Sequence, residues 1–377
     1  MPEPRRLLMV THFFASHGGG IERVAGHLSR ALAAAGHALG WSASSSDPAP
    51  NDAGVTALPL PCVNPTERLT GLPMPVPTLR GLAMLARAAR AADAVIVHDA
   101  LYVTSIAALI AARRAGRPVV LVQHIAELDF ANPVMRAIMR TAAALVVRPM
   151  LRAADQVVFI SAAVRDAFAE VPMRRAPELL FNGVDTATFH PVAAEGEGER
   201  VRRELELPVT GPLVTFVGRF VAKKGLAVVR ECAARRPDLT FVLAGGGPID
   251  PRRWGLANVH VVGPLAPAGV AALLRQSAML LLPSMGEGYP LVVQEAMACG
   301  LPVICGEDSA AADPGAARFL RAVPIRHADP AGTAARIVPL LDRPRDPALG
   351  AEMARYAAET YNWEAMARRL VEAIPAA

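Results

Sequence analysis

The stretch from Pro283 to Cys305 constrains the chain most. An apolar run, Ala278 to Leu282, leads into it and is short enough for a buried strand; Leu301 to Ile304 begins another. Between them Gly286, Gly288 and Pro290 mark a tight loop, and Leu291 to Ala298 reads as a helix that stops at Gly300. Strand, loop, helix and strand in so few residues make a βαβ unit, which builds a parallel sheet. Glu287 then lies on the loop at the carboxyl end of a strand, and Glu295 about one turn into the helix behind it. Open α/β sheets bind ligands at that edge. The helix start adds unpaired N–H groups and a positive dipole end, which suit an anion. Two carboxylates as acceptors for hydroxyl groups, beside a phosphate site, fit a sugar nucleotide.

The same pattern recurs along the 377 residues, a length beyond one hydrophobic core, so two domains are expected. Strand-like runs at 5–11, 94–97, 118–123 and 156–160 alternate with helical stretches at 21–35, 79–92, 101–115, 133–153 and 162–170. Alternation of this kind means a parallel sheet with crossover helices. The glycine-rich loop from His12 to Gly20 joins the first strand to its helix, without the spacing of a dinucleotide fingerprint. Its bare backbone at Gly19 and Gly20 suits close approach to a phosphate or acceptor, though a plain connector reads the same way. His124 follows the strand ending at Gln123, again at a carboxyl edge; Glu127 and Asp129 nearby receive no role. The Pro-rich segment from Pro59 to Pro77 cannot be regular helix or central strand and is expected to be a long loop.

The second half restarts with Leu213 to Val217, then Gly218, Arg219, Lys223, Lys224 and Gly225 before the helix 226–235. Arginine outnumbers lysine 37 to 2, and both lysines stand here. Arg219 can grip a diphosphate bidentately while Lys224 adds a point charge, with Lys223 the weaker candidate. The formal net charge of +5 is too small and too spread to argue for nucleic acid. Four cysteines without a C-x2-C pair argue against a metal or disulfide framework and for a reducing compartment. No stretch reaches the length of a membrane span.

The string around Glu287 and Glu295 resembles the E-x7-E segment of retaining glycosyltransferases of the two-Rossmann GT-B fold, family 4 in particular. Gly19 to Arg23 is similar to the family's Gly-Gly-x-Glu-Arg segment, and Gly218 to Gly225 to its Gly-Arg-x4-Lys-Gly motif. Asn182 to Pro191 resembles the segment that closes the first domain. The resemblance spans nearly the whole chain and is weakest at 43–78 and 306–330. It implies two Rossmann-like domains with parallel sheets facing across a cleft. One would run 1–187, completed by 358–377 through a C-terminal helix that crosses back; the other would run 188–357. It implies that Glu287 contacts donor sugar hydroxyls, Glu295 the ribose, and Arg219 and Lys224 the phosphates. The backbone of Gly288, Tyr289, Pro290 and Leu291 would cradle sugar and diphosphate; the segment with Gly263 would line the base. His124 would point at the transferred sugar. Gly286 departs from the family, where a bulky or aromatic residue is frequent, so the sugar side is expected to be roomier.

The expected chemistry is retaining, metal-independent transfer of a sugar from a nucleotide diphosphate sugar to a glycan or lipid-linked acceptor. Surface polysaccharide or glycoconjugate assembly is the expected setting. No cofactor or metal is expected, since no Asp-x-Asp string occurs. The expected location is cytoplasmic, with peripheral contact at the inner face of the cell membrane. A glycoside hydrolase would have no use for a diphosphate clamp. A phosphorylase would need a pyridoxal phosphate lysine, and both lysines are already placed. A same-fold nucleotide-sugar epimerase and a nucleotide-sugar-binding relative without transfer activity stay open.

Overall fold

A computed structural model describes residues 3–64, 74–126, 133–192, 194–343 and 345–375. The chain forms two compact units, Met1–Gly183 with Asn362–Ala377, and Val184–Tyr361. The sequence reading places these boundaries at 187/188 and 357/358.

In the first unit the strands are β1 (Arg6–Val10), β2 (Ala38–Ser44), β3 (Val55–Leu60), β4 (Cys62–Val63), β5 (Val76–Pro77), β6 (Ala94–His98), β7 (Val119–Gln123), β8 (Gln156–Phe159) and β9 (Glu178–Leu179). Seven of them form a sheet in the order β3-β2-β1-β6-β7-β8-β9, and every pair is parallel. Successive side chains point to opposite faces, and both faces are covered. Leu8, Val10, Val95, Val97, Val119 and Leu121 enter one core. Their strand neighbours Leu7, Met9, Ala94, Ile96, Val120 and Val122 enter the other. That is why these strands read as unbroken apolar runs.

The helix Trp363–Glu372 belongs to this unit. It is capped by Asn362, whose side chain accepts from the Ala365 N–H at 2.9 Å. Met366, Leu370 and Val371 pack into the core with Leu28 and Leu32 of the helix Gly20–Ala34. Gly183 has no room for a Cβ because the Trp363 ring covers it.

The Pro-rich segment is not wholly loop. Pro59 lies in β3, opposite Ala43 of β2. β3 is the sheet edge, where the missing N–H costs no ladder bond. β4 and β5 add a small antiparallel pair within the same segment.

The second unit holds β10 (Leu213–Val217), β11 (Thr240–Ala244), β12 (Val259–Gly263), β13 (Met279–Leu282), β14 (Val303–Gly306) and β15 (Leu320–Val323). They form one parallel sheet in the order β12-β11-β10-β13-β14-β15. In both sheets the chain winds outward from a central strand, then returns to wind the other way. The reversal lies between β1 and β6 in the first unit and between β10 and β13 in the second. Ligands of open α/β sheets bind at the carboxyl end of such a switch point. No helix among the described residues is long and apolar enough to cross a membrane.

The second unit carries a buried ion pair. Arg275 meets Glu197 through two parallel bonds of 2.7 Å, with the side chains 9% and 5% exposed. Arg275 also donates to the Thr188 carbonyl at 3.2 Å. Arg275→Ala should destabilise the protein by roughly 3–5 kcal/mol, because it strands a buried carboxylate. The Arg275 bond outweighs burial and holds the Glu197 pKa below its ordinary 4.5. A depressed carboxyl stabilises fully above its unfolded pKa, so this contribution is complete above 4.5 and fades as pH falls below it. Urea unfolding of wild type and Arg275→Ala at neutral and acid pH checks both; a gap that does not narrow on acidification contradicts the assignment.

Candidate functional site

At the carboxyl edge of the second sheet the loops after β10, β11 and β13 are tied together by their backbones. The Met285 N–H bonds the Lys223 carbonyl at 3.0 Å. The Phe220 N–H bonds the Gly246 carbonyl at 2.8 Å. Gly225 sits at φ +75°, and any Cβ there would overlap the Pro283 carbonyl. Only glycine lets the two loops meet so closely.

This contact sets Lys224 against Glu287. The ammonium donates to Glu287 Oε2 at 2.8 Å, and the side chains are 15% and 12% exposed. Glu287 Oε1 lies against the same ammonium but is poorly aligned and accepts no hydrogen bond. Lys223 is exposed, yet surrounding protein and the cations Lys224 and Arg219 pull its pKa down while Glu287 raises it. Arg219 is exposed and makes no ion pair among the described residues. Lys224 thus meets Glu287, Lys223 feels the charges of Glu287, Lys224 and Arg219, and this excess of cations favours an anion. The structure brings Arg219, Lys224 and Glu287 to the β10–β13 switch point; Lys223, the weaker candidate by sequence, belongs to the same field.

Gly286 takes φ +67° in the loop after β13. Pro290 caps the helix Leu291–Ala298, and Glu295 lies half-buried on it. The Tyr289 ring is turned inward, 4% exposed, and its hydroxyl meets that of Tyr361 at 2.7 Å. Tyr361 donates in turn to Asp313 at 2.7 Å. At the ligand edge Tyr289 therefore offers backbone, with its side chain anchoring the loop from behind. Gly263 ends β12 at φ +74°. Its strand is two places from β10, about 10 Å by strand spacing.

The carboxyl edge of the first sheet is different in kind. Gly19 caps the helix Gly20–Ala34, and a Cβ on it would overlap the Glu22 carboxylate. Glu22 turns back into the protein and meets His12 Nε2 at 2.8 Å. Burial pushes the Glu22 pKa up, but the bond and charge of His12 override it and hold the carboxyl below its ordinary value. Across the switch point the His12 ring stacks on Tyr102, with centroids 3.6 Å apart. His98 Nδ1 lies 2.9 Å from His124 Nε2. Asp99 is fully buried at φ +64°, uncommon for a residue other than glycine. Burial pushes its pKa up to about 6.

Of the residues expected here, the structure places Gly19, Gly20 and His124 at one edge and adds His12, His98, Asp99 and Tyr102. Their available signal was position: His12 follows β1, and His98 and Asp99 end β6, the two strands flanking the switch point. Glu127 and Asp129 lie outside the described residues. Among the described residues no group of three His, Cys, Asp or Glu side chains is placed to hold a metal ion.

Comparison with known proteins gives two family matches. Residues 18–188 match the model described as Glycosyltransferase Family 4, and residues 211–343 that described as Glycosyl transferases group 1. The chain is 29% identical over 269 residues to alpha-maltose-1-phosphate synthase of Mycolicibacterium smegmatis, covering 62% of this chain and 67% of that protein. It is 29% identical over 308 residues to D-inositol 3-phosphate glycosyltransferase of Acidothermus cellulolyticus, covering 71% and 64%. The chain thus spans about two thirds of the length of these curated relatives. Among solved structures, sucrose-phosphate synthase of Thermosynechococcus elongatus superposes with a TM-score of 0.70 at 20% identity, covering 98% of each chain. The Anabaena protein Alr3699/HepE, in complex with UDP-glucose, gives 0.69 at 16% identity, again covering 98% of each. These likenesses show the fold, the GT-B arrangement of two parallel-sheet α/β domains.

The Lys224–Glu287 contact makes its own prediction. Lys224→Ala leaves a nearly buried carboxylate without its partner and should cost about 1–3 kcal/mol. The Lys224→Ala, Glu287→Ala double variant should be more stable than the sum of the single losses allows. Thermal unfolding of the four proteins in the cycle reads the coupling; additive losses would mean the pair contributes nothing.

Proposed function

The chain belongs to the glycosyltransferases, with family 4 over its first half and group 1 over its second, and on that premise we propose what it transfers and how. The donor is a nucleotide diphosphate sugar, bound at the edge where Lys224 meets Glu287 and Lys223 lies in the field of both and of Arg219. That constellation carries the reading, because a diphosphate beside a polyhydroxylated sugar needs cations and a carboxylate side by side. The donor diphosphate takes Lys224 and Arg219, and Glu287 turns its free oxygen to sugar hydroxyls. Glu295 receives the ribose, and the backbone from Gly288 to Leu291 with its helix start cradles the phosphates. The segment through Gly263 lines the base. That UDP-glucose occupies the Anabaena neighbour makes UDP sugars the first donors to try.

As the anomeric carbon–oxygen bond breaks, negative charge grows on the leaving diphosphate. Arg219, Lys224 and the helix N-terminus stabilise it where water is excluded, without a metal. The acceptor hydroxyl attacks the anomeric carbon, and the leaving phosphate oxygen takes its proton on the same face, retaining configuration. The histidine and carboxyl groups at the edge of the first unit suit hydroxyls of a glycan or lipid-linked acceptor, and His124 faces the transferred sugar.

A surface polysaccharide or glycoconjugate is the proposed product, made at the inner face of the cell membrane. Exposed Val134, Ile138 and Leu145, close in sequence to Arg136, Arg140 and Arg148, support contact with anionic lipid. Ile138→Asp with Leu145→Asp should abolish co-sedimentation with anionic vesicles; unchanged binding, or none by wild type, removes membrane contact from the reading.

The decisive measurement is thermal unfolding against UDP, GDP, ADP and dTDP. A diphosphate at about 100 times its dissociation constant should add roughly 2.7 kcal/mol. Wild type should respond to one base, and Arg219→Ala with Lys224→Ala to none. Glu287→Ala should keep that response and lose sugar transfer, whereas Glu295→Ala should weaken the response itself. Equal losses of binding in both glutamate variants would overturn these roles, and silence of wild type towards all four would remove the donor site.

A further inference from the structure

The transfer reading gives His124 a role and leaves the buried His98 beside it without one. His98 is 0% and His124 3% exposed, and their rings meet through His98 Nδ1 and His124 Nε2 at 2.9 Å. Burial lowers the pKa of both. His98 falls to about 3, with the His12 charge adding to the effect, and His124 falls well below its ordinary value, with His98 and His12 adding. Both rings are therefore neutral near pH 7, each with one N–H. A nitrogen–nitrogen hydrogen bond holds one proton, so the tautomer of one ring fixes that of the other.

The choice follows from what lies behind His98. Its Nε2 is buried and has no hydrogen-bond partner. If His124 donated, His98 would have to carry its proton on Nε2, as a buried N–H without a protein acceptor. Buried donors without acceptors are rarer than buried acceptors without donors. The pair therefore settles with His98 Nδ1–H donating to His124 Nε2, and His124 keeps its own proton on Nδ1.

The neighbouring groups fix where that ring stands. Asp99 follows His98 directly, and its Oδ1 accepts from the backbone N–H of Leu101 at 3.3 Å. The Asp99 N–H bonds the Val122 carbonyl at 2.8 Å. The Gln123 side chain accepts from the Ala100 N–H at 3.1 Å and donates to the Ile125 carbonyl at 2.8 Å. The ends of β6 and β7 are thus cross-linked on both sides of His124. The left-handed backbone of Asp99 is a local cost that this network sustains.

We propose that His98 is a positioning residue that locks His124 in the Nδ1–H tautomer, so that His124 meets the ligand at this edge as a hydrogen-bond donor. His124 then serves an oxygen of the sugar or acceptor by donation, not as a base. The inference rests on the reading that His124 faces the transferred sugar; the tautomer does not depend on that reading.

The test combines ring-nitrogen spectroscopy with kinetics. In protein labelled with 15N-histidine, long-range proton–nitrogen correlations show which nitrogen of each ring is protonated. Wild-type His124 should be protonated at Nδ1, and His98 also at Nδ1. His98→Asn places an amide close to where Nδ1 stands and can donate the same bond, whereas His98→Leu cannot. His124 should keep its tautomer in His98→Asn and shift toward Nε2 protonation in His98→Leu. Turnover with the donor identified above should stay within a few-fold of wild type in His98→Asn. In His98→Leu kcat should fall about 10–100-fold with KM little changed, the range for losing an outer partner of a functional histidine. His124 protonated at Nε2 in wild type would overturn the proposal without any activity measurement. So would equal kcat losses in two folded variants. A correct tautomer in a protein that transfers no sugar would leave the lock standing and remove only the transfer reading.

Discussion

The structure depends on the way a parallel sheet ends. Each strand must be followed by a crossover, and crossovers on both sides of a central strand leave in opposite directions. Between the two strands where the direction reverses, no connection closes the carboxyl edge. That gap exists twice here, between β1 and β6 and between β10 and β13. The candidate functional side chains of each unit lie at or beside its own gap. The backbone decides where the groups stand, and the sequence decides what they are.

What they are differs between the two edges. In the second unit Lys224 meets Glu287 with Lys223 and Arg219 adding positive charge at the same edge, and the loops that carry them are fastened backbone to backbone through Gly225 and the Lys223 carbonyl. The carboxylate holds the Lys224 ammonium at 2.8 Å, with both side chains nearly buried. In the first unit the groups are neutral or acidic. Burial lifts the Asp99 pKa to about 6 and pulls that of His98 down to about 3, which suppresses charge on these two groups, while His12 holds the Glu22 pKa below its ordinary value. One edge gathers cations beside a carboxylate, and the other buries histidine and carboxyl groups.

Much of this was legible in the sequence, because the strands that carry the sites are buried on both faces. Leu7 to Val10, Val119 to Val122 and Met279 to Leu282 are continuous apolar runs, and the glycine loops after the first and last of these mark the edges. β2 was not legible. Gly40, Ser42 and Ser44 interrupt its apolar pattern, although Ser42 and Ser44 are as buried as Trp41 beside them. β3 was hidden by Pro59, which an edge strand tolerates. At the sites, residue identity was readable and pairing was not. Arg219, Lys224 and Glu287 stood out by motif, but the Lys224–Glu287 contact joins residues 63 apart. His98 and Asp99 went unnoticed because a histidine and an aspartate after a strand carry no local signature; their meaning comes from β6 lying beside β1 and β7.

The inward turn of Tyr289 shows how the donor-side loop can be both glycine-rich and well placed. Gly286 and Gly288 give the backbone freedom, which alone would leave Glu287 free to wander. The phenol of Tyr289 removes that freedom from behind, through Tyr361 to Asp313, which Tyr356 also reaches at 2.8 Å. Asp313 takes the Gly315 N–H at 3.0 Å as well, so its carboxyl is well satisfied. Burial pushes the pKa of all three phenols up, so their hydroxyls stay neutral. A loop pinned in this way need not move as a whole for Glu287 to leave Lys224; rotation of one side chain is enough. Such a rotation keeps the backbone from Gly288 to Leu291 fixed while the ion pair opens.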